Sequence, residues 1–65
     1  DEAELLCKMT RHPDAGVGET ALAELGRLHA AGRLSLTSLM KDDLAAFRPR
    51  CREPNAPRLL ESLLG

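Results

Sequence analysis

Apolar side chains recur along the chain at three- and four-residue intervals, and glycine or proline interrupts the recurrence at several points. Asp1 to Arg11 holds no Gly or Pro and sets Leu5, Leu6 and Met9 on one helical stripe. Glu2 and Glu4 fall in its first turn, where the helix dipole favours acids. His12-Pro13-Asp14-Ala15-Gly16-Val17-Gly18 is rich in turn formers and predicts a connection. Leu22, Leu25 and Leu28, with Ala21 alongside, predict a helix over 19–31, and Gly32 suits the left-handed residue that ends it. Gly26 inside that helix costs about 1 kcal/mol relative to Ala.

Leu34 and Leu36 alternate with polar residues as in a strand, but the chain offers no second strand to pair with it. The better expectation is an extended Leu34–Ser35, then a short helix capped by Ser35 or Thr37 that sends Leu36, Leu39 and Met40 to the core. A further helix is expected from Lys41 or Asp42, with Leu44 and Phe47 spaced by three and Asp42-Asp43 in its first turn. Pro49 disfavours helical geometry at Arg48 and should end it nearby. Arg50 to Pro54 is polar. Asn55 can cap a last helix with Pro57 in its first turn and Leu59, Leu60, Leu63 and Leu64 behind. No internal repeat or low-complexity segment is present. The pattern predicts an all-α, compact bundle of about five short helices, none long enough to stand alone.

Composition sharpens this expectation. Thirteen Leu and nine Ala stand against one Val, no Ile and a single aromatic, Phe47, which effectively excludes a β domain. Apolar residues make up 43% of the chain, too many for disorder. Sixty-five residues form one domain, 1–65, and the abrupt start and end suit a piece of a longer chain. A core this small leaves little room for a deep pocket, so no cofactor is expected. No apolar run approaches the ~18–20 residues that span a bilayer. The acidic start is the wrong chemistry for a signal peptide. A soluble, intracellular, monomeric protein is expected, with no membrane partner.

Candidate chemistry is sparse. Cys7, Cys51, His12 and His29 lack the close spacing that lets neighbours chelate a metal, and two reduced, half-buried thiols are the simpler expectation. Ser35, Ser38 and Ser62 suit capping or helix-surface roles, and Gly16-Val17-Gly18 lacks the rest of a phosphate loop. No catalytic, metal or cofactor residue is assigned, and no enzyme is expected.

The net charge is −1, but residues 31–65 carry a surplus of two bases while residues 1–30 carry a surplus of three acids. Arg48, Arg50 and Arg52 are the one polar cluster that stands out. Guanidinium forks suit carboxylates and phosphates, so an acidic peptide is one partner; capping of a helix end is the alternative use. Leu39, Lys41, Leu44 and Phe47 complete the expected partner-binding set, with Phe47 either core or the floor of a peptide pocket. Nucleic acid is a weaker option, because aromatic platforms for bases are missing.

From residue 17 onward the signals run Val17-Gly18, a helix with Ala21-Leu22, Leu25 and Leu28, then Leu34-Ser35-Leu36-Thr37-Ser38-Leu39, Leu44-Ala45-Ala46-Phe47-Arg48, and Arg58-Leu59-Leu60-Glu61-Ser62-Leu63-Leu64. This order resembles the N-terminal domain of the elongation factor TFIIS, shared with elongin A, a Mediator subunit and several chromatin readers. Leu39, Leu44 and Phe47 match apolar positions of that pattern, and Arg48 or Arg50 its basic helix end; Ala45 stands where the pattern has Gly. The resemblance implies a non-catalytic, nuclear protein–protein interaction module of transcription elongation or chromatin factors. It would bind short disordered motifs with an apolar anchor and acidic flanks. Two other classes remain open: a SAP-like helical DNA-binding element, and a self-associating module of the sterile-alpha-motif type suggested by Leu39-Met40-Lys41-Asp42-Asp43-Leu44.

Overall fold

In the computed structural model, which describes residues 2–65, the chain forms four α-helices: α1 (Glu2–Met9), α2 (Ala15–Ala30), α3 (Ser38–Phe47) and α4 (Ala56–Leu64). One 3₁₀ turn, Arg48–Arg50, follows α3. Among the described residues there is no strand. The main contacts run α1 to α2, α2 to α4, α4 to α3 and α3 back to α1, so the helices close a ring around one core.

The sequence predicts two separate helices between residues 35 and 47, and the structure joins them into α3. The Thr37 hydroxyl accepts the N–H of Met40 at 3.3 Å, which starts the helix there. No breaker follows until Pro49. Asp42 and Asp43 are therefore mid-helix, and Met40, Leu44 and Phe47 share one buried stripe. Pro49 stands at the start of the 3₁₀ turn, where its missing N–H costs nothing.

α2 also begins earlier than the glycines suggest. The Asp14 carboxylate caps it by accepting the N–H of Gly16 at 2.8 Å. Gly16, Val17 and Gly18 are helical. At the far end the N–H of Gly32 bonds the His29 carbonyl and that of Arg33 the Leu28 carbonyl, with Gly32 at φ +70°. This double closure needs a left-handed residue, which glycine supplies without strain. Asn55 precedes α4 but its side chain makes no capping bond.

The core is built from Ala3, Cys7, Leu22, Leu25, Met40, Leu44, Phe47, Ala56, Leu60 and Leu63. α1 departs in part from the expected orientation, since of the Leu5, Leu6 and Met9 stripe only Leu6 packs against the core. Leu5 and Met9 are 61% and 36% exposed, while Ala3 and Cys7 face inward. The small residues let α1 sit close to both α2 and α3, and a leucine at either place would hold it away. Thr10, the buried polar residue after α1, donates its hydroxyl to the Cys7 carbonyl at 2.6 Å.

Candidate functional site

The three arginines read as one cluster are held in three different ways. Arg50 turns inward: Nη1 donates to the Thr10 carbonyl at 3.1 Å, and Nη2 to the carbonyls of His12 and Pro13. Its guanidinium also lies 5.8 Å from the centre of the Phe47 ring. One side chain thus ties together three carbonyls of the connection between α1 and α2. Arg48 pairs with Glu61 of α4 at 2.7 Å, both ends in solvent. Arg52 stands 4.0 Å from Glu19 of α2. The other oxygen of Glu19 accepts the backbone N–H groups of Arg52 and Glu53 at 2.8 and 3.0 Å. The closely spaced arginines clamp three separate joints and form no continuous rim.

Leu44 and Phe47 are sealed in the core at 0% and 1% exposure, so neither can meet a partner while the domain is folded. Leu39 is the opposite case. Expected in the core, it projects from the first turn of α3 and is 77% exposed. The stripe that points inward from α3 passes through Met40 and leaves its neighbour outside. Lys41, also exposed, lies on the same helix and carries no ion pair among the described residues.

Leu39 overlooks a groove of about 340 Å³ between α1 and α3, lined by Glu4, Lys8, Thr37, Leu39, Met40 and Asp43. Glu4 and Lys8 also border a second depression with Glu2 and Leu5. These two charged residues form an ion pair at 3.4 Å across one helical turn. Leu5 and Leu39 therefore flank a paired acid and base on a shared face. Arg11 bonds Asp43 at the end of the groove. Leu5 shares a stripe with Leu6 and Met9 in the sequence; the signal that it faces out is the small-residue stripe of Ala3 and Cys7, which with Leu6 fills the inward side.

A separate, mostly apolar cleft of about 220 Å³ lies between α2 and α4, bounded by Leu22, Ala23, Ala56 and Leu59, with Glu19 and Glu53 at its edge. Both cysteines are free thiols. Burial, with the Asp43 carboxylate adding to it, pushes Cys7 from 9.0 up to about 11. Cys51 is raised by burial and by Glu19, with Arg48 opposing. Among the described residues no three of His, Cys, Asp and Glu gather as a metal site, and no helix is long and apolar enough to cross a membrane.

In comparisons with known proteins, no family model, no curated protein and no solved structure matches the chain.

Proposed function

We propose that this helical domain is a non-catalytic protein–protein interaction module that works through the face shared by α1 and α3. One observation carries the reading: Leu39, 77% exposed, sits on one bank of an open groove while Leu5, 61% exposed, sits across the Glu4–Lys8 pair. Apolar side chains that together edge a concave surface offer a partner its anchors. Lys41 lies two residues from Leu39, on the opposite flank of α3, and falls outside this face, whereas Leu44, Phe47 and Arg50 are held within the domain. Arg48 remains accessible in an exposed ion pair of the kind worth under about 1 kcal/mol, and Arg52 remains accessible beside the mostly buried Glu19.

The expected acidic flanks need a row of free bases. This face offers Glu2, Glu4 and Asp43 beside Lys8 and Arg11, so mixed charge around an apolar anchor suits it better. The resemblance to the TFIIS N-terminal domain supplies a setting for the proposal, transcription and chromatin factors in the nucleus, and no residue-level detail. Nucleic acid is the poorer fit because Arg48, Arg50 and Arg52 each have partners within the chain.

Selection from a displayed random-peptide library against the immobilised domain tests the reading. Enriched peptides should carry an apolar anchor and lose binding to Leu39→Lys. No enrichment, or peptides that bind Leu39→Lys equally well, overturns it.

A further inference from the structure

The charges on the α1 face are arranged so that they complement themselves when reversed. Acids stand at the start of α1 (Glu2, Glu4) and bases at or beyond its end (Lys8, Arg11). Glu4 and Lys8, with side chains 57% and 67% exposed, lie one turn apart on either side of Leu5 in sequence. A two-fold axis across this helix places each acid of one copy opposite a base of the other. It also sets the aliphatic stem of Lys8 over the other copy's Leu5 and brings the Leu39 side chains to the edges of the contact.

Resting on the interaction reading above, we propose that the occupant of this face is a second copy of the chain. The two α1 helices run antiparallel, Glu4 and Lys8 of one copy pair with Lys8 and Glu4 of the other, and Leu5 and Leu39 of both are covered. The available area supports a modest complex. The largest face of a body 26 × 20 × 17 Å covers about 500 Å², below the roughly 800 Å² per partner of a standard interface.

Sedimentation equilibrium of the 65-residue chain over roughly 5–500 μM at low salt is the first measurement, with a mass expected to climb from 7.1 kDa toward twice that value. A mass fixed at the monomer value across the range overturns the second copy. If Leu39-dependent peptide binding persists in that monomer, the interaction reading stands without it. Charge exchange tests the geometry. Glu4→Lys alone and Lys8→Glu alone should each weaken association about tenfold or more, with helix content retained. An equimolar mixture of the two restores it, because every facing pair is again opposite in sign. Single variants that associate as the parent does, or a mixture no stronger than either alone, overturn the antiparallel pairing.

Discussion

A Cβ added to Gly18 of α2 would stand 2.6 Å from Cε1 of the Phe47 ring, closer than real contacts come. Phe47, 1% exposed at the end of α3, packs directly on the α2 backbone there. Gly18 is thus a contact residue of the core. Its replacement by Ala has to move a fully enclosed ring.

Gly18→Ala should lower stability by about 1–3 kcal/mol, the usual cost of overpacking, despite the roughly 1 kcal/mol that Ala adds to a helix. Gly26→Ala is the control. Its new methyl would meet the ends of the half-buried Leu59 at 3.0 Å, and a leucine end that reaches solvent can swing away. Thermal melts should therefore place Gly26→Ala at or above the parent and Gly18→Ala several degrees below it. Equal melting temperatures for the two would contradict the packing described.

Phe47→Ala removes the largest enclosed side chain. Such truncations cost about 3–5 kcal/mol, comparable to the whole stability of a domain this size. Circular dichroism of the variant at 25 °C should show little helix. A folded variant with normal stability would mean that the ring serves binding instead.

Arg50 and Arg48 are two residues apart and should behave very differently. Arg50→Ala strips three carbonyls of their donor and should cost about 1–3 kcal/mol in urea unfolding. Arg48→Ala breaks one solvent-exposed pair and should cost under about 1 kcal/mol. A uniform response across the two would show that Arg50 is not the clamp.

Cys7 is raised to about 11 in the folded chain. A folded value above the unfolded one means that the protonated thiol contributes fully below pH 9. The contribution is lost as pH climbs from about 9 to about 11, where the unfolded chain ionises first. Unfolding curves should show an alkaline decline in that window that Cys7→Ala lacks, after allowance for its own lower stability. At pH 8 an alkylating reagent should reach Cys51 well before Cys7.

Much of the fold is legible along the chain because its signals are local. Gly32 ends α2, Pro49 closes α3 and Pro57 lies in the first turn of α4, each through backbone geometry that one residue decides. Asp42-Asp43 mislead because adjacent acids suit a first turn; here Asp43 answers to Arg11, a partner 32 positions away. Gly16 and Gly18 suggest a loop, since only the fold reveals the ring that Gly18 must admit. The face proposed for a partner is less legible still. Residues 48, 50 and 52 form a cluster in sequence, but their partners are set by α1, α2 and α4. Leu5 and Leu39 look interior because local spacing cannot tell which of two apolar stripes faces inward.

Glu19 draws together the strand-free joint before α4: its carboxylate holds the Glu53 amide, and the Glu53 carbonyl in turn receives the Ala56 N–H. The last helix thus inherits its first turn from another helix's side chain. A synthetic peptide of residues 53–65 should be coil in water. In native-state hydrogen exchange, amides of α4 should be released ahead of those in the middle of α2. The start of α4 is thereby coupled to a side chain of α2, so that loosening Glu19 should fray the last helix from its first turn.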